Sequence, residues 1–143
     1  DLNMPSTLPE RFEAGTMSTP AIGALKKGID FVKIRGAEEI YAHECVLGKR
    51  LTEMLTSVRN TKVYMPEKIG GTVLFNYADM SSEQLAGELE KAGICVRAGL
   101  HCAPLAHKTL GTPEYGAVRV SFSIFNTKNE VDNFYRVYSN IVK

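Results

Sequence analysis

Apolar residues recur at helical spacing early in the chain. Ile22, Leu25, Ile29 and Val32 line one face. Thr19-Pro20 marks the start of this predicted helix, with Thr19 as N-cap and Pro20 at the first helical position, where a missing N–H costs nothing. Gly36 is placed to close it. The same periodicity predicts a second helix from about Ala37 to Val58, with Ile40, Leu47, Leu51, Met54, Leu55 and Val58 as its stripe. Lys49, Arg50, Glu53 and Arg59 fall off that stripe and are expected on a solvated face. The pattern changes after Asn60. Lys62-Val63-Tyr64-Met65 and Thr72 to Tyr77 are strand candidates on either side of Gly70-Gly71. Ser81 and Gln84 form a capping box ahead of a third helix that buries Leu85 and Leu89 and ends at Gly93.

Ile94-Cys95-Val96-Arg97 is expected as a short strand, and Ala98 to Leu110 as a loop with one helical turn. Ala117 to Phe122 alternates as a strand, and a Thr127/Glu130 capping box opens a last amphipathic helix carrying Val131, Phe134, Tyr138 and Ile141. This order predicts an α+β fold: a short, mostly antiparallel sheet covered by helices on one face. The 143 residues are expected to form a single domain, with residues 1–16, which carry Pro5, Pro9 and Gly15, as an extended, irregular lead-in. The chain opens on Asp1 rather than Met, so a processed or excised portion of a longer protein is expected.

Composition adds exclusions. With 44% hydrophobic residues and a net charge of +1 from 17 basic and 16 acidic side chains, wholesale disorder is excluded. No clustered basic footprint for nucleic acid or an anionic membrane is present, and no apolar run approaches a membrane span. Three cysteines, Cys45, Cys95 and Cys102, build no disulfide framework, so a reducing, cytoplasmic setting is expected.

The chemistry concentrates in Arg97-Ala98-Gly99-Leu100-His101-Cys102-Ala103-Pro104, which leaves a strand and enters a loop. A thiol beside an imidazole and near a guanidinium sits in the electropositive setting that favours the nucleophilic thiolate. The alternative is that Cys102 is a small buried hydrophobe, although its polar, Gly-bearing neighbours favour the reactive role. In Ala117-Val118-Arg119-Val120-Ser121-Phe122, the period of two places Arg119 between the small residues Ala117 and Ser121. That leaves room for a planar carboxylate, which Arg binds in bidentate fashion; a structural ion pair fits the pattern equally well. Gly15-Thr16, ahead of a helix N-terminus, could hold a phosphate or simply form a turn. His101, Cys102 and His107, with Cys95 or the His43/Cys45 pair, could ligate a metal, but no paired C-x-x-C or H-x-x-x-H spacing supports it, and no metal is expected. His43 and Cys45 read as ordinary packing and surface positions, and His107-Lys108 as a solvated turn.

Three runs resemble successive motifs of one family: Leu8-Pro9-Glu10-Arg11-Phe12-Glu13-Ala14-Gly15-Thr16, Arg97 to Cys102, and Ala117 to Thr127. They resemble the C-terminal part of class V aminotransferases of the cysteine desulfurase and selenocysteine lyase branch, over essentially the whole chain. The resemblance implies the small C-terminal domain of a pyridoxal-phosphate, fold-type I transferase, homodimeric when complete. It implies removal of sulfur from L-cysteine to give alanine and a cysteine persulfide that passes to an acceptor protein or thiol. Cys102 matches the catalytic cysteine, Arg119 the arginine that grips the substrate carboxylate, Arg97 a second active-site arginine, and Thr16 the residue that reaches the phosphate of the partner subunit's cofactor. The large domain with the cofactor lysine has no counterpart here, so the chain alone is expected to be folded and inactive. Met17-Ser18-Thr19-Pro20 stands where many relatives carry an Asn soon after the Thr.

Other readings remain alongside this one. They are a selenocysteine lyase or another class V enzyme, a non-enzymatic α+β interaction domain with Cys102 structural, and a small metal-binding domain. Under the enzyme reading an exposed apolar surface is expected where the large domain would pack.

Overall fold

A computed structural model describes residues 5–143 except 14 and 79. Residues 1–4 and Ala14, which belong to the expected lead-in and to the Glu-Ala-Gly-Thr run, lie outside the described residues. Where one domain with a lead-in is expected, the chain divides into two compact units, residues 1–37 and 38–143.

The first unit holds helix α1 (Thr19–Arg35). Ser18, not the expected Thr19, is its N-cap, and Ser18 makes no side-chain capping bond; Thr19 and Pro20 are already helical. Gly36 closes the helix at φ 86°, a conformation glycine adopts without steric cost, and donates its amide to Val32. The expected apolar face forms but is not covered, since Ile22, Leu25, Ile29 and Val32 are all exposed. The segment before α1 turns instead of running extended. The Arg11 amide donates to the Thr7 carbonyl and the Phe12 amide to that of Pro9, a turn that the fixed φ of Pro9 favours.

The second unit contains most of α2 (Ala37–Thr56), β1 (Thr61–Tyr64), β2 (Thr72–Tyr77), α3 (Ser82–Lys91), α4 (Pro104–Leu110), β3 (Val118–Ser121) and α5 (Lys128–Ile141). This is the α+β class that the pattern predicts. The sheet has the order β1-β2-β3, antiparallel throughout, with Val63 opposite Phe75, Phe75 opposite Val118, and Val73 opposite Val120. These five residues share one face, because side chains alternate along strands and directly opposed residues project together. They meet Leu47, Leu51 and Leu55 of α2, Leu85 and Leu89 of α3, and Val131, Phe134 and Tyr138 of α5 in a single core. At its centre Phe75 packs edge-on to Tyr138 with ring centroids 5.3 Å apart and to Phe134 at 6.1 Å, each arrangement adding about 0.5–1.5 kcal/mol beyond area burial.

Both predicted capping boxes form. Ser81 and Gln84 satisfy each other's backbone amides at α3, and Thr127 and Glu130 do so at α5. Arg50 departs from its expected solvated role. It makes a two-pronged bond to Asp132 at 2.7 and 2.9 Å, which links α2 to α5 and holds the Asp132 carboxyl below its ordinary range.

The expected strand Ile94–Arg97 reduces to one bridge residue, Arg97. The cause is the end of α3. The amides of Gly93 and Ile94 return to the carbonyls of Glu90 and Leu89, so the chain joins a sheet edge only after this helical turn is finished. Phe75→Ala should cost about 3–5 kcal/mol in urea unfolding, because it empties the middle of the aromatic cluster; a loss below about 1 kcal/mol would show that the three rings are not the centre of the core.

Candidate functional site

The sheet face opposite the core carries Tyr64, Leu74 and Arg119 in one cross-strand row. Arg97 continues that row. Its amide donates to the Arg119 carbonyl at 3.1 Å and its carbonyl accepts the Arg119 amide at 2.7 Å. The Ala117 amide donates to Gly99 at 3.2 Å, extending the pairing by one step. The two arginines are therefore directly opposed and project from the same face, an arrangement in which like charges repel. Among the described residues, no ion pair involves either arginine. Arg119 Nε is buried without a hydrogen-bond partner. A buried, unsatisfied cationic donor beside a second cation is a site shaped for an anion.

Glycines make this approach possible. A Cβ on Gly116 would lie 2.4 Å from the Gly99 carbonyl carbon, and Gly116 also has φ 61°. Asn76 Nδ2 donates to the Gly116 carbonyl at 2.9 Å and Ser82 Oγ to that of Tyr115 at 2.8 Å, pinning the segment that runs into β3.

Beyond Gly99 the chain enters two consecutive left-handed residues, His101 at φ 52° and Cys102 at φ 57°. Neither is glycine, so each carries a backbone cost of about 1–2 kcal/mol. Cys102 is exposed and free, as are Cys95 and, half-buried, Cys45. The alternative of Cys102 as a small buried hydrophobe is thus not what the fold does. His101 sits below its ordinary protonation range of 6.5. Burial disfavours the imidazolium, Arg119, His107 and Arg97 repel it, and the Arg97 backbone opposes the trend.

His107 is not in a solvated turn. It lies on α4 at 1% exposure, with its Nδ1 2.8 Å from Thr112 Oγ1. His43 donates from Nε2 to the Asn126 carbonyl at 2.8 Å and ties α2 to the loop before α5. Thr16 belongs to the first unit, where it is exposed at a bend ahead of α1. A cavity of about 550 Å³ opens beside Lys62, Tyr64, Asn76 and Tyr115, but Arg97, Cys102 and Arg119 do not line it. Among the described residues, no three His, Cys, Asp or Glu side chains converge as metal ligands would.

The structure therefore brings Arg97, Arg119 and His101 together at the root of the segment that presents Cys102. Sequence reasoning missed His107, Thr112 and Asn76.

The profile of the family Aminotransferase class-V matches residues 3–134, and the chain belongs to that family. It is 37% identical over 125 residues to the probable cysteine desulfurase of Halalkalibacterium halodurans, an alignment covering 87% of this chain and 30% of that protein. It is 36% identical over 126 residues to the probable cysteine desulfurase of Halobacterium salinarum, with the same coverage. The chain thus spans about 30% of the length of the curated relatives it matches. Among solved structures, the apo cysteine desulfurase of Thermococcus onnurineus NA1 superposes with a TM-score of 0.83 at 36% identity, covering 94% of this chain and 34% of that one. The S-sulfonic acid form of cysteine desulfurase CsdA from Escherichia coli has a TM-score of 0.82 at 22% identity, covering 92% and 32%, and supports the fold alone.

Gly116→Ala should separate residues 97–99 from β3, with a loss of about 1–3 kcal/mol from the positive φ alone, and should accelerate hydrogen exchange at the Arg97, Ala117 and Arg119 amides; unchanged protection there would refute the close approach. His101 adds a pH dependence. Its folded value lies below its unfolded value, so its full contribution to stability is present above about pH 6.5 and is lost as the pH falls, because the unfolded chain binds the extra proton. Melting curves recorded at about pH 7.5 and about pH 5.5 should differ less in His101→Asn than in the parent chain.

Proposed function

We propose that this chain is the C-terminal portion of a pyridoxal-phosphate cysteine desulfurase, in which Cys102 takes sulfur from L-cysteine. One observation carries this reading: an exposed thiol on a strained turn, rooted beside opposed arginines of which one, Arg119, has a buried and unpartnered Nε. Arg119 grips the substrate carboxylate, and Arg97 adds a second positive charge on the open side of the site. The orphaned donor fits an anionic amino acid held at the cofactor. The Thr16 hydroxyl would hold the phosphate of the partner subunit's cofactor, and the remaining cofactor contacts, including its lysine, belong to the part of the protein outside this chain. When bound, the cofactor supplies the electron sink that lets the carbon–sulfur bond open.

This chain's own task is sulfur capture. The Cys102 thiolate attacks the substrate sulfur and a sulfur–sulfur bond forms. The carbon–sulfur bond breaks with its electron pair remaining on carbon, and that carbon takes up a proton on the way to alanine. Cys102 is left as a persulfide, a covalent intermediate that a second thiol can collect. Exposure on a loop suits both halves of the transfer. All three cysteines are free, which supports a reducing, cytoplasmic location, and the complete protein is proposed to be a homodimer.

In the full-length protein, Cys102→Ser should lower alanine formation from L-cysteine by about a hundredfold or more, as expected for loss of a nucleophile. Arg119→Lys should lower kcat/KM about ten- to a hundredfold, the worth of a charged bidentate contact. Mass spectrometry after turnover should find one added sulfur atom at Cys102. Sulfur carried on Cys45 or Cys95, or full turnover in Cys102→Ser, would overturn the assignment.

A further inference from the structure

Sulfur capture as proposed leaves one buried polar chain unused. Thr112 is fully buried and His107 nearly so. Besides its contact with Thr112, His107 turns Nε2 toward His101 Nδ1 at 3.4 Å, with the two rings stacked at 5.5 Å and 28°. At the far end, His101 Nε2 is buried with no hydrogen-bond partner. This is the second orphaned polar nitrogen of the site, after Arg119 Nε.

The order of protons along this chain follows from the options open to Thr112. The His107 carbonyl already accepts the Thr112 amide at 2.8 Å and the Gly111 amide as well. The Thr112 hydroxyl is 3.5 Å from that carbonyl, at the limit of a hydrogen bond, but 2.8 Å from His107 Nδ1. The shorter contact favours His107 Nδ1 as the acceptor of that proton. A neutral imidazole carries one N–H, so His107 bears it on Nε2 and donates to His101 Nδ1. His101 must then carry its own proton on Nε2. Neutrality of His101 agrees with its burial and with the repulsion from Arg119, His107 and Arg97, which together outweigh the opposing hydrogen bond to the Arg97 backbone.

We propose that His101 is a third donor at the anion site of Arg97 and Arg119, and that His107 and Thr112 are positioning residues that hold it in the Nε2–H tautomer. Two orphaned buried donors, Arg119 Nε and His101 Nε2, call for a ligand with two acceptor oxygens, which is what a carboxylate offers. A protonated, cationic His101 would compete with the arginines for space and solvation, whereas a neutral N–H adds a bond without adding charge. The proposal rests on the carboxylate-binding reading above and extends it to the tautomer of His101 and the buried pair that sets it.

The test uses the full chain and needs no cofactor. Long-range proton–nitrogen NMR reads the His101 tautomer directly in the parent protein, and Nε2–H is the result expected. Alkylation of Cys102 by iodoacetate, a carboxylate, is then compared with alkylation by neutral iodoacetamide, quantified on the Cys102 peptide. Thr112→Val, which removes the hydroxyl at nearly constant size, should lower the iodoacetate-to-iodoacetamide rate ratio about two- to tenfold, the range one neutral hydrogen bond can bias, and Thr112→Ser should restore it. An Nδ1–H tautomer in the parent chain overturns the proposal whether or not the variants fold. So does a folded Thr112→Val chain with an unchanged tautomer and rate ratio. Failure of the desulfurase reading would appear separately, as absence of sulfur on Cys102 in the full-length protein, with both of these measurements unaffected.

Discussion

Two backbone hydrogen bonds between Arg97 and Arg119 set the geometry on which the site depends. They turn the segment after α3 into a partial fourth strand, place two arginines opposite each other on one face, and fix where the chain leaves the sheet toward Cys102. The arrangement is electrostatically unfavourable by itself, since opposed like charges repel and Arg119 Nε has no partner. It persists because the backbone is held from elsewhere. Gly99 and Gly116 allow the two chains to touch, Asn76 and Ser82 tie down the segment ahead of β3, and the α3 terminus fixes where residue 97 begins.

The two faces of the sheet have separate duties. Val63, Val73, Phe75, Val118 and Val120 build the core with α2, α3 and α5, so stability resides on one side. Arg119, alternating with those valines on β3, projects to the other side without disturbing the packing. This partition lets a rigid strand carry a strained, charge-rich site, and a substitution on one face should be felt little on the other.

Local signals in the sequence were legible and long-range ones were not. The capping boxes at Ser81/Gln84 and Thr127/Glu130, the span of β2 and the apolar stripe of α2 depend on residues within one or two turns of each other, and each forms as the spacing predicts. Ile94–Arg97 does not form the strand its residue types suggest, because a helix end competes for the same amides, which alternation of residue types does not reveal. Burial of His107 and the pairing of Arg50 with Asp132 are tertiary facts: a lone His or Arg beside polar neighbours reads as solvated until another element arrives. Within the candidate site, Cys102, Arg97 and Arg119 stand out in the sequence by their neighbours and motif. The polar chain behind them was invisible, because a Thr five positions after a His has no distinctive spacing.

The left-handed pair His101-Cys102 has a consequence for engineering. Glycine or asparagine would fit those backbone angles at lower cost, so a search for thermostable variants that weighs folding alone would select against the natural residues there. Consensus or computational redesign should hold both positions fixed, and should treat any gain in melting temperature at this corner as a warning that the presentation of the proposed sulfur acceptor has been traded for rigidity.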